Sequence, residues 1–281
     1  MPLASVNGTE IHFDVHGTGD AVVLIHGLGS SGADWAFQIP ALRERFQVIV
    51  PDLRGSGLSG RPAGPYSIDG FADDLWVLID HLGVERCSIV GFSLGGAVAL
   101  AMALARPQAC RQLVMINALP TYRVDHWRKW LEVHLQLTMV RLFGLRRTAR
   151  MVAARLFPDP HQAPMRRRVE EVVGANARRP YLESVRALAG WCAAARLDEL
   201  TARSLVLSAE FDYTPLEEKR RWAAAMGATF RVVADSRHGT PFDAILATNR
   251  VLAAFLAGED APTDGLTRDA PEQVPMVAPE L

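Results

Sequence analysis

Short, unbroken apolar runs separated by helix-length segments constrain this chain more than any other feature. Residues 21–25 (AVVLI), 47–50 (QVIV), 87–92 (CSIVGF), 112–116 (QLVMI), 204–208 (SLVLS) and 229–233 (TFRVV) are rich in β-branched side chains. Continuous apolar runs suit strands covered on both faces, as in a parallel sheet between two helical layers. Residues Glu10 to His16 instead alternate polar and apolar, the pattern of a half-buried strand. Helical patterns lie between these runs. In 67–82, Phe71, Leu75, Leu78, Ile79 and Leu82 recur at spacings of three and four behind Ser67 as N-cap. Residues 94–105 are apolar all round, as expected of a helix buried against a sheet, and Pro107 ends them. Strand–helix alternation implies βαβ units and an α/β fold with a mostly parallel sheet.

The alternation stops between 119 and 190, a stretch helical in pattern and rich in Arg, Trp and Leu. We read it as a helical lid inserted into a core made of 1–118 and 191–258. The segment 259–281 is acidic and rich in Pro, has little to bury, and is expected to be flexible. Charge is uneven: residues 121–190 hold 14 Lys/Arg against 6 Asp/Glu, while 259–281 hold six acids and only Arg268. The net charge of −1 argues against nucleic acid as a partner. No window reaches the roughly 18 consecutive apolar residues of a membrane span, and no secretory pattern opens the chain. A membrane is therefore not expected as a partner, and a small molecule is. Cys87, Cys110 and Cys192 fit neither a disulfide framework nor a zinc pattern, so reduced thiols and a cytoplasmic location are expected. Oligomeric state is not readable.

Gly91-Phe92-Ser93-Leu94-Gly95 fits G-x-S-x-G and sits between an apolar strand and an apolar helix. A serine on such a turn projects its hydroxyl from the end of the sheet, and small flanking residues let the turn close. On these residues the chain resembles the α/β-hydrolase superfamily over roughly residues 3–257. The resemblance implies an eight-stranded, mostly parallel sheet flanked by helices, with Ser93 as nucleophile.

Four further segments carry the resemblance. Ile25-His26-Gly27-Leu28-Gly29 follows a strand, and the family implies that the backbone amides of Leu28 and Leu94 form an oxyanion hole, with His26 structural. Pro51-Asp52-Leu53-Arg54-Gly55-Ser56-Gly57-Leu58-Ser59 looks like the family's D-x-R-G-x-G-x-S loop, in which Asp52 and Arg54 order the backbone. Asp212 lies between the run 204–208 and a helix start that Thr214-Pro215-Leu216-Glu217 marks as a capping box; Glu210 is its nearest competitor as triad acid. His238 precedes another helix start, Thr240-Pro241-Phe242-Asp243. The order Ser93, Asp212, His238 is also the family's.

The expected chemistry is hydrolysis of a carboxylic ester or lactone through an acyl-enzyme, similar to carboxylesterases and enol-lactone hydrolases. Relatives with an Asp nucleophile do not match Ser93. Phe92 stands where carbon–carbon bond hydrolases of this fold often have Asn, which leaves that reaction as an alternative. A non-catalytic ligand-binding member of the fold is a second alternative. No metal or organic cofactor is expected. Phe92, Trp127, Trp130 and Leu131 are candidates for the substrate pocket, with Leu135, Leu142, Phe143 and Trp191 further possibilities; packing of lid on core is the plainer role for each. The arginines at 146, 147, 150 and 166–168 either steer an anionic substrate or form a solvated face.

Overall fold

A computed structural model describes residues 2–263 and Leu266. The apolar runs become strands of one eight-stranded sheet: β1 (Leu3–Val6), β2 (Thr9–His16), β3 (Asp20–Ile25), β4 (Phe46–Pro51), β5 (Cys87–Phe92), β6 (Cys110–Ile116), β7 (Arg203–Ala209) and β8 (Thr229–Val233). Their order is β1-β2-β4-β3-β5-β6-β7-β8. The strands from β4 to β8 along that order pair in parallel, and β2 joins β1 and β4 antiparallel.

β1 is absent from the sequence reading. A two-residue Asn7-Gly8 turn, with φ of 42° and 77°, folds it onto β2. Positive φ at both central residues matches the twist of paired strands, and Asn-Gly tolerates it.

Alternation along each strand sends successive side chains to opposite faces. Val23 and Ile25 pack with the helices Ile68–His81 and Leu94–Ala105, whereas Val22 and Leu24 pack with the helix Ile245–Leu256. As expected, Ser67 caps the first of these helices, its Oγ accepting from the Gly70 amide at 3.0 Å. The strand order reverses at β3, which lies between β4 and β5. Crossovers leave to opposite sides there, so a crevice opens beyond the carboxyl ends of β3 and β5, where open α/β sheets bind ligands.

Between β6 and β7 the chain is helical, as its pattern implies, with main helices Trp127–Leu156, Ala163–Gly174 and Arg178–Gly190. Gly144, at φ 76° and ψ 168°, breaks the first of these in two. Val140, Leu145, Tyr181 and Val185 form a small separate core among them.

Within the segment 259–281, Ala261, Pro262 and Leu266 are held against the fold, whereas Glu259, Asp260 and Thr263 are exposed. The Arg231 guanidinium donates to the Ala261 and Pro262 carbonyls, the Ala234 amide donates to the Leu266 carbonyl, and Ala261 and Leu266 are buried. Covering edge strand β8 gives these residues apolar surface to bury. The rest of the expected flexible segment lies outside the described residues.

Candidate active site

The site begins with a backbone that only certain residues can adopt. Ser93 links β5 to the helix Leu94–Ala105 with φ 55° and ψ −118°. That conformation is strained for a residue with a Cβ and turns the hydroxyl out of the sheet. A Cβ on Gly91 would strike the Gly95 carbonyl, and one on Gly95 would strike the carbonyls of Ile25 and His26. Both glycines are therefore required by close approach, not by turn angle.

Loops after β7 and β8 bring the other two residues to Ser93. His238 Nδ1 lies 2.7 Å from Asp212 Oδ1, and His238 Nε2 lies 3.0 Å from Ser93 Oγ. An ionised carboxylate only accepts, so Nδ1 carries the proton, and Nε2 of the neutral ring accepts from the Ser93 hydroxyl. Ser93 and His238 are 9% and 8% exposed, enough for a substrate to reach them from one side.

Asp212 is enclosed by donors. Its Oδ1 also accepts from the Tyr213 amide at 2.8 Å, and its Oδ2 accepts from Thr214 Oγ1 at 2.6 Å and from Lys219 Nζ. Burial alone would raise its pKa, but His238 and Lys219 outweigh burial and hold the carboxyl far below the usual carboxylate range. Lys219 is wholly buried and also donates to Ser208 Oγ at 3.0 Å; burial pulls its own pKa down. The capping box expected at Thr214–Glu217 does not form, because the Thr214 hydroxyl is spent on Asp212. Pro215 takes the N-cap position of the helix Leu216–Ala225 without a side-chain cap. Glu210, the competitor for the acid role, instead accepts from the Asp235 amide at 2.9 Å.

The sequence reading passed over Asn117, which follows β6 with φ 48°. Its Nδ2 donates to the His238 carbonyl and to Thr240 Oγ1, both at 2.7 Å, and its Oδ1 accepts from the Ala209 amide at 2.7 Å. One side chain thus ties the end of β7, which leads to Asp212, to the His238 loop. An Asn just past a strand end was the available signal, since Asn tolerates left-handed backbone and bonds locally. Asp243 secures the same loop, accepting from Ser236 Oγ at 2.7 Å and the Arg237 amide at 2.8 Å.

On the opposite side lies the loop after β3. A Cβ on Gly27 would fall 3.6 Å from the Ser93 Cβ, so this loop adjoins the hydroxyl. Leu28 lines the cavity above Ser93, and Leu94 opens the helix, where the first amides have no intrahelical acceptor. His26 is structural in geometry: Nε2 accepts from the Leu53 amide at 3.0 Å, and Nδ1 lies 2.8 Å from the Gly27 carbonyl. Asp52 accepts from the amides of Gly32 and Leu58 at 2.7 and 2.9 Å, and Arg54 pairs with buried Asp74, so both order loops.

A cavity of about 520 Å³ opens over Ser93 and His238. Phe92, Tyr213 and Phe242 line it, together with Leu135, Met139, Val152, Val173 and Tyr181 from the helices between β6 and β7. Phe92 therefore lies where the sequence suggested. Trp127, Trp130 and Leu131 do not: they are 68%, 52% and 41% exposed and form no part of the wall. At about 100° per residue, Glu132, Leu135, Gln136 and Met139 share the cavity side, Trp130 falls opposite, and Trp127 and Leu131 fall to the flank. Leu142 and Phe143 are also exposed, and Trp191 packs into the main core. Of the arginines, Arg168 reaches the cavity wall, whereas Arg150 is paired with Glu170.

Comparison with known proteins agrees with this architecture. A Caulobacter segnis protein provisionally named carbamate hydrolase RutD is 34% identical over 270 residues, covering 92% of this chain and 100% of that protein. The crystal structure of the enol-lactonase from Burkholderia xenovorans LB400 superposes with a TM-score of 0.83 at 25% identity, covering 91% and 100% of the two chains. A thermophilic esterase from Thermogutta terrifontis gives 0.82 at 25% identity over 92% and 99%. The sequence profile of the alpha/beta hydrolase fold matches residues 20–244, which span the serine turn, the Asp212 loop and the His238 loop together. With that match over most of its length, the chain belongs to the alpha/beta hydrolase fold family.

Proposed function

We propose that the protein is a serine hydrolase that cleaves a carboxylic ester or lactone, with Ser93 as nucleophile, His238 as general base and acid, and Asp212 as the orienting carboxylate. The observation that carries this reading is the unbroken chain from Ser93 Oγ through both ring nitrogens of His238 to Asp212, with separations of 3.0 and 2.7 Å.

In this mechanism His238 Nε2 takes the hydroxyl proton as Ser93 Oγ bonds to the substrate carbonyl carbon. Asp212 fixes the tautomer and stabilises the imidazolium that forms. The oxyanion rests on the backbone amides of Leu28 and Leu94, each such donor contributing about 3–4 kcal/mol to barrier lowering. His238 returns the proton to the departing alkoxide, or to the ring-opened hydroxyl of a lactone. Water, deprotonated by the same imidazole, then releases the acid and restores Ser93.

Residues 119–190 serve as a lid on the core of 1–118 and 191–258, since their side chains close the cavity over Ser93. The mostly apolar wall favours an apolar acyl or alcohol group. A carbamate is a second reading, favoured by the name of the Caulobacter relative; its carbonyl would meet the same nucleophile and oxyanion donors. Cys87 and Cys110 are free and buried, with thiols pushed up to about 12 by burial, and Cys192 is free, which suits a reducing cytoplasm.

Labelling by a fluorophosphonate probe, with turnover of p-nitrophenyl acetate and butyrate, tests the assignment. Both signals should be present in the protein and absent from Ser93→Ala. Undiminished turnover by that variant would end the assignment, and a panel of esters, lactones and carbamates ranks the substrate classes.

A further inference from the structure

The helix Trp127–Leu156 carries two apolar sides, and only one is used within the chain. Val133, Leu137 and Val140 pack into the small core with Tyr181, Leu182 and Val185. On another side, Trp127, Leu131, Leu135 and Leu142 recur at spacings of four, four and seven, which aligns them along the helix. They are 68%, 41%, 53% and 71% exposed, and Trp130, 52% exposed, flanks them. Scattered single apolar residues on a surface are ordinary, but an aligned stripe of this kind marks an interaction site.

Charge selects the occupant. Before the break at Gly144 the stripe is accompanied by Arg128, Lys129 (paired with Asp125) and Arg141 against the single helix acid Glu132, and residues 121–190 as a whole hold 14 Lys/Arg against 6 Asp/Glu. Two copies meeting through this stripe in a symmetric pair would oppose like charges. A layer of anionic headgroups complements them, and Trp and Leu beside Lys and Arg is the composition of a helix that lies in a membrane interface. We propose that this face seats on an anionic lipid surface, as a peripheral contact. No helix among the described residues is long and apolar enough to cross a membrane, and this contact needs none. Leu135 belongs to both the stripe and the cavity wall, and exposed Met151 and Val152 also line the cavity, so its mouth opens beside the seated face.

Co-sedimentation of the full chain with vesicles tests the proposal. The protein should pellet with phosphatidylglycerol-containing vesicles, stay in solution with pure phosphatidylcholine, and be released by raised salt. Combining Trp127→Gln, Leu131→Gln and Leu142→Gln should lower partitioning at least tenfold while thermal melting is kept, because all three side chains are exposed. Ser93→Ala should pellet like the parent protein, which separates lipid binding from catalysis. No partition to anionic vesicles, or equal partition of the triple variant, overturns the proposal. So does a dimer in sedimentation velocity that the triple variant splits, since that would make a second copy the occupant.

Discussion

The ammonium of Lys219 and the imidazole of His238 share one carboxylate, that of Asp212, from opposite oxygens. A buried cation behind the carboxylate that meets His238 has two consequences. It keeps Asp212 ionised and fixed, and it draws off part of the negative charge that would otherwise favour imidazolium.

Lys219→Met should therefore alter the pH dependence of turnover more than the affinity for substrate. With the ammonium gone, Asp212 acts on His238 alone, and protonated imidazole is better stabilised. The acid limb of the kcat/KM profile should therefore move to higher pH. Glu218, near Lys219, would act in the same direction as Asp212 and is unchanged by the substitution. An acid limb that stays in place would reduce Lys219 to a packing role.

Acid stability should report the same cluster. Asp212 has a folded pKa below its unfolded value, so its contribution is full above about pH 4 and fades as pH falls below that range. Asp212→Asn leaves Lys219 buried without its counter-ion, at a loss of about 3–5 kcal/mol near neutrality. Urea unfolding at a series of pH values should show the gap between parent and variant narrowing on acidification. A gap independent of pH would contradict the ion pair.

Asn117→Gly retains the left-handed backbone but removes the three side-chain bonds by which Asn117 holds the end of β7 and the His238 loop. Loss of satisfied buried groups should lower stability by about 1–3 kcal/mol. Displacement of His238 should lower kcat about 10–100-fold with little change in KM. Steady-state kinetics check this, and a change confined to KM would place Asn117 outside the catalytic alignment.

Gly95→Ala should fail structurally before it fails chemically. Its methyl would overlap backbone carbonyls of β3 and the following loop, which cannot yield as a flexible side chain can. A loss of about 3 kcal/mol or more is expected, the upper end of overpacking penalties, with reduced fluorophosphonate labelling of whatever folds. Parent-like melting and labelling would mean that the turn tolerates a Cβ.

Much of the fold was legible along the chain because it rests on local patterns. The apolar runs at 87–92 and 204–208 are strands, Ser67 caps its helix, and Gly91, Ser93 and Gly95 form the turn their spacing implies. β1 escaped although Asn7-Gly8 announced a hairpin, since four residues are too few to establish alternation.

Determined by the sequence alone were the α/β sheet, the serine turn and the chain order of Ser93, Asp212 and His238. These follow from residue type and spacing within single elements. The tertiary structure alone decided which acid meets the imidazole, that Thr214 and Lys219 bond to Asp212, that Asn117 joins two loops, and that Trp127, Trp130 and Leu131 form no part of the cavity wall. The reason is distance along the chain: Ser93 and His238 are separated by 145 residues, and no local pattern reports which side chains the sheet will bring together.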